Sequence, residues 1–145
     1  MLQRKRFENS ETNIYYKMTD IIIGIILCAI IIAFLESFRS VDKRLFGAFT
    51  LVAIPFIYVG FAWTDLHSLV IVVIAAVPFV ALSYYGQTKN FNLIVLGLLL
   101  HGVWDVVFPR FSTVVPKGYD LFCLTADFIL AAYFYFRFNK TSANK

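Results

Sequence analysis

FNLIVLGLLLHGVWDVVF, residues 91–108, is long and apolar enough to cross a bilayer as a helix, yet it carries an imidazole and a carboxylate, His101 and Asp105, four residues apart. Side chains at i and i+4 share one helical face, so the two ionisable groups sit one above the other. Each such group at membrane depth costs roughly 2.5 to 3.5 kcal/mol on insertion scales, which is why ionisable residues there turn to a bundle interior and mark working sites.

The rest of the chain agrees with a membrane setting. Of its 145 residues, 60% are hydrophobic, 18% aromatic and only 15% charged, and the mean hydropathy is +0.76, which excludes a soluble globular domain. Apolar runs of about 18 residues or more predict five spans, at 21–38, 45–62, 66–85, 91–108 and 119–138. None alternates with the period of two that a membrane barrel strand needs, so the spans are expected to be helices. The connections at 39–44, 63–65, 86–90 and 109–118 are short and leave room only for antiparallel neighbours. The expected fold is all-α and integral to the membrane: one five-transmembrane-helix antiparallel bundle over 21–138, with a polar lead-in at 1–20 and a polar tail at 139–145.

Details of the spans refine this picture. Pro55 and Pro78 fall inside the second and third spans, where a lost backbone hydrogen bond kinks a helix or opens room beside it. Gly97 and Gly102 let other helices approach the fourth closely. Tyr15, Tyr16 and Lys17 read as interfacial residues ahead of the first span, with Thr19 or Asp20 as a helix cap. Small residues of the A-x-A type are missing after the first apolar run, so no cleaved signal peptide is expected. Cys28 and Cys123 lie within spans and read as small apolar residues, without a disulfide framework. The net charge of +4 suits anionic lipid headgroups, and nothing suggests a partner nucleic acid. Six Lys and Arg fall on one side of the bundle and seven on the other, so charge does not choose an orientation; weighting the 39–44 loop and the tail places the C-terminus in the cytoplasm.

Counting rise along antiparallel helices places the polar residues in depth. His101 is near the middle of the fourth span, Asp105 about 6 Å nearer its end, and Asp127 near the middle of the fifth. Asp65 and His67 sit at the mouth of the third. Asp120, Cys123 and Asp127 share a face of the fifth span, as His101, Trp104 and Asp105 share one of the fourth, and two polar faces on sequential helices should meet. Glu36 falls roughly 8 Å from the His101 level. It either reaches the site through tilt or pairs with Arg39 or Lys43 at the interface. Arg110 and Lys117 flank the longest connection, which contains Pro109 and Pro116 and is the candidate gate or headgroup-contacting loop.

Phe34-Leu35-Glu36-Ser37, then Leu99-Leu100-His101-Gly102-Val103-Trp104-Asp105-Val106-Val107, then Val115-Pro116 followed by Cys123 and Asp127, resembles an uncharacterised family of small bacterial multi-pass membrane proteins, a domain of unknown function. The resemblance covers the chain from about Leu35 onward. It implies that Glu36, His101, Trp104, Asp105, Cys123 and Asp127 belong to a shared pattern, and it implies residence in a bacterial inner membrane. Where the family commonly has two further histidines after the W-D-V-V segment, this chain has Phe108 and Pro109, so a metal site that needs them is not implied.

Three functions fit. The first is an intramembrane enzyme on a lipid or other hydrophobic small molecule, with His101, Asp105 and Asp127 catalytic and Trp104, Cys123 and Glu36 lining the substrate site. Its chemistry is either acid–base, a carboxylic acid giving a proton while His101 accepts one, or metal-assisted, with His101, Asp105 and Asp127 around a divalent ion such as zinc. H-x-x-x-D spacing alone is a weak metal signal. The second is a transporter or proton relay, which as five short helices without repeats needs a homo-oligomer to build a pathway. The third is adhesion, in which the polar groups only hydrogen-bond across helices; Ser83, Asn92 and Thr125 belong to that class.

Overall fold

Among the described residues five helices carry the chain: α1 (Leu2–Ser37), α2 (Lys43–Ala62), α3 (Leu66–Thr88), α4 (Asn92–Val107) and α5 (Tyr119–Ser142), with a 3₁₀ turn at Phe108–Arg110. The structure is a computed structural model that describes the backbone of residues 2–38 and 40–142 and the side chains of residues 14–38 and 40–138. All five helices are long and apolar enough to cross a membrane, over Ile14–Ser37, Lys43–Ala62, Leu66–Thr88, Asn92–Arg110 and Tyr119–Phe138. The polar tail expected from residue 139 is in part the end of α5, and residues 143–145 lie outside those described.

One local expectation is corrected. The polar lead-in is helical and runs on into the first span, because α1 is continuous from Leu2. Thr19 and Asp20 therefore cap nothing; the Thr19 hydroxyl instead donates to the Tyr15 carbonyl one turn earlier (2.9 Å), a bond made inside a helix. Capping carboxylates are found at the two tight connections. Asp42 accepts from the Arg44 and Leu45 amides (2.8 and 3.2 Å), and Asp65 from the Ser68 amide (3.3 Å), so both satisfy helix-end donors.

Packing follows chain order from α2 onward: α2 lies against α3, α3 against α4 and α4 against α5. Short connections between packed helices make these antiparallel neighbours. α1 departs from the expected order and packs on α5 rather than on α2. The seam explains it, for Gly24 leaves room for the α5 backbone at Phe122, the Cys28 thiol lies 3.6 Å from the Ala126 carbonyl, and Leu35 is fully buried. Gly97 and Gly102 act as the sequence suggests: a side chain at either would run into Leu51 of α2 or Phe128 of α5. Ser83 donates to the Ala48 carbonyl (2.8 Å), tying α3 to α2. Both cysteines are free and buried.

α4 is the most enclosed of the five spans, which is the physical condition for carrying ionisable groups through hydrocarbon. Two apolar clusters fill the interior. One centres on Leu51, Phe79, Ile94, Leu98 and Phe134, the other on Tyr58, Ala62, Val72 and Phe108, and Trp104 packs against both. The exterior is apolar too, with Ile22, Ile26, Ile30, Val73, Ile74 and Val77 exposed, as suits a surface whose solvent is lipid.

Candidate functional site

Between the two clusters, α4 and α5 bring together His101, Asp105 and Asp127. Their relative exposures are 0%, 0% and 1%, so the site is closed off inside the bundle. His101 Nδ1 lies 2.8 Å from Asp127 Oδ2 and 3.5 Å from Asp105 Oδ1. The i, i+4 spacing on α4 places the imidazole one turn from Asp105, and the α4–α5 contact presents Asp127 across from it, as the two polar faces require. With a proton on Nδ1 the ring donates to Asp127, which turns Nε2 into the free ring nitrogen.

α2 and α3 complete the walls. Tyr58 of α2 donates its hydroxyl to Asp105 Oδ1 (2.5 Å), and its ring meets the imidazole edge-on at 5.6 Å. Phe79 of α3 does the same from the other cluster at 5.1 Å. These rings fix the plane of His101, while Tyr58 fixes one oxygen of Asp105. Neither residue stands out in the sequence. Tyr58 is one of 8 tyrosines and reads as part of an interfacial belt, although it lies one turn from the end of α2, at the depth of Asp105 near the end of α4.

Formal charge makes the arrangement demanding. With all three groups ionised the site would carry −1, a charge that a low-dielectric interior tolerates only with a counter-charge or a proton. Hydrogen bonding is also incomplete. Among the described residues five buried side-chain polar atoms have no protein partner, and three of them are here: His101 Nε2, Asp105 Oδ2 and Asp127 Oδ1. Buried polar groups are nearly always paired with protein or water, so three such atoms in one cluster give the site capacity to bond a ligand or water.

The other candidates are placed differently. Cys123 is buried beside Tyr119, within the reach of the Asp105 and Asp127 charges. Trp104 stacks on Phe108 (5.1 Å, 22° between planes) at the edge of the site. Glu36 is not brought to the cluster. Its half-exposed carboxylate accepts from the Tyr133 hydroxyl (2.6 Å), Lys43 Nζ (3.3 Å) and Arg137 Nε (3.3 Å), so three donors hold it at the other end of the bundle. Of the two cations expected beside it, Lys43 is present, and Arg39 lies outside the described residues. Asp65 and His67 also stay apart: His67 is exposed, and Asp65 caps α3, where the Ser68 side chain holds its carboxyl below the usual carboxylate range.

The 109–118 connection lines a half-open cavity of about 870 Å³ together with Tyr16, Lys17 and Asp20 of α1 and Asp120 and Leu121 of α5. Asp120 begins the α5 face that continues through Cys123 to Asp127, about 10 Å deeper by helical rise. An aromatic layer separates the cavity from the buried cluster: Tyr58 meets Phe108 at 5.5 Å and Tyr119 at 6.2 Å, and Phe61 meets Tyr119 at 4.8 Å.

Tyr58→Phe removes the bond to Asp105 and leaves the ring in place. Hydrogen bonds to charged groups are worth about 1.5–3 kcal/mol, so we expect roughly a 10- to 150-fold loss in whatever the site performs, with no change in elution from a sizing column.

A family model described as a family of unknown function (DUF6010) matches residues 19–140. No curated protein and no solved structure matches the chain.

Proposed function

We propose a function from the site itself, because the chain belongs to this family of unknown function and membership brings no substrate with it. The protein is an integral membrane enzyme that acts on a lipid or another hydrophobic small molecule, with His101, Asp105 and Asp127 as its reacting groups. It works in the inner membrane of a bacterium, surrounded by the lipid that supplies its substrate.

The observation that carries this reading is the set of three buried atoms without protein partners, His101 Nε2, Asp105 Oδ2 and Asp127 Oδ1. A site built for adhesion has its bonds made. Interhelical polar bonds average only about 0.6 kcal/mol, against roughly 2.5 to 3.5 kcal/mol for each ionisable group inserted, so adhesion does not offset the cost.

The geometry suits proton transfer. Asp127 orients the ring through Nδ1 and leaves Nε2 to exchange a proton with substrate, while Tyr58 holds one oxygen of Asp105 and leaves the other to do the same. Two proton-handling atoms in an enclosed site serve isomerisation or cyclisation of an apolar substrate, in which a proton is taken from one position and returned at another. Trp104 and Cys123 offer it contact, and entry from the cavity at the 109–118 connection requires the intervening rings of Phe108 and Tyr119 to part.

The test is turnover of a lipid extract in detergent micelles. An enzyme converts its substrate there, whereas a transporter or proton relay works only across a sealed vesicle. Conversion in micelles is expected; flux in vesicles with no conversion in micelles would overturn the reading.

A further inference from the structure

The charge and donor arrangement at the buried cluster supports a more specific statement. We propose that His101, Asp105 and Asp127 form a binding site for one divalent transition-metal cation. Each of the three residues offers a donor atom, and those atoms all lie within 4.8 Å of one another. His101 Nδ1 stands 2.8 Å from Asp127 Oδ2 and 3.5 Å from Asp105 Oδ1. Nitrogen and oxygen ligands held about 2.0–2.2 Å from one ion stand roughly 3–3.6 Å apart, so small movements, with Nδ1 releasing the proton it otherwise gives Asp127, bring this triangle around a metal.

Charge fits the same assignment. A +2 ion with a neutral imidazole balances both carboxylates, so the site is electrically neutral with its three residues in their metal-binding forms. The surroundings are those of a supported site: the Tyr58 hydroxyl bonds the Asp105 carboxylate, and the Tyr58 and Phe79 rings hold the imidazole plane. Asp105 Oδ2 and Asp127 Oδ1, both buried and unpartnered, remain for the ion or for a ligand on it.

Three protein ligands leave a coordination position open, as in catalytic rather than structural centres. One nitrogen and two oxygen donors suit Zn²⁺, Mn²⁺ or Fe²⁺. Ca²⁺ wants six or more oxygens and Mg²⁺ keeps several waters, which suits a three-donor site enclosed by apolar side chains less well. The set does not depend on positions 108 and 109, where this chain has Phe and Pro.

The inference uses the residues of the enzymatic reading, but metal content and turnover are separate measurements, so either can fail alone. Full-length protein, freed of any metal-binding tag, is stripped with chelator, incubated with Zn²⁺ or Mn²⁺, desalted and analysed for metal. Wild type should hold close to one equivalent of at least one of the two. Asp127→Asn, which preserves volume and keeps the folding question apart, should lose it, as should His101→Ala. Tyr58→Phe should bind about 10- to 100-fold more weakly. In a parallel Co²⁺ titration, a ligand-field absorption should appear with wild type and not with Asp127→Asn. A wild type that holds neither metal, or an Asp127→Asn variant that holds as much as wild type, overturns the proposal.

Discussion

On the enzymatic function proposed above, Asp127→Asn is expected to lower turnover of a lipid substrate by about 10²- to 10⁴-fold and to leave the protein monodisperse in detergent. The substitution keeps the shape of a side chain that is 1% exposed, so it opens no cavity. It removes the charge that His101 Nδ1 faces at 2.8 Å and puts an amide in its place. The imidazole then loses both its tautomer preference and the partner that stabilises its protonated form. His101→Ala acts in the same direction by deleting the ring. Turnover is read on the lipid and integrity by sizing; unchanged turnover, or aggregation of the isosteric variant, contradicts the assignment of a functional role.

Phe134→Ala has the opposite profile. Phe134 is fully buried on α5, meets Phe91 edge-on at 5.6 Å and packs where Gly47 lets α2 come close. Truncation of a buried Phe costs about 3–5 kcal/mol, and the part due to lost packing contacts persists in lipid, where both phases are apolar. The ring lies two turns from Asp127, about 10 Å along the helix, so turnover per folded molecule should change less than twofold. Denaturant unfolding in micelles checks the first part and turnover the second. Together the two variants separate residues that hold the bundle from residues assigned to the proposed reaction.

The spans are legible in the sequence because lipid leaves the backbone no partners but its own, so an apolar run of sufficient length has to be a helix. Contacts between helices are less legible. Short connections suggest that each helix packs on the next, but α1 chooses α5, since its small and buried residues Gly24, Cys28 and Leu35 face that way. The start of α1 is likewise hidden: nothing between Leu2 and Gly24 breaks a helix, and a polar composition does not reveal that the helix runs on.

The meeting of His101, Asp105 and Asp127 is legible because spacing alone puts each on an inward face of sequential helices. Tyr58 is not, since a hydroxyl on an aromatic ring in a membrane protein has a commoner explanation at the interface. Glu36 shows the limit of counting depth. Eight ångströms is within what tilt can change, and only Lys43 of α2 and Tyr133 and Arg137 of α5, gathered around it, decide its place.

The most direct measurement is mass spectrometry of a total lipid extract after incubation with the detergent-purified protein, wild type beside His101→Ala. Depletion of one lipid class with growth of its product, in the wild-type sample alone, is the predicted result. Identical lipid profiles in the two samples would contradict the claim that this buried site is catalytic.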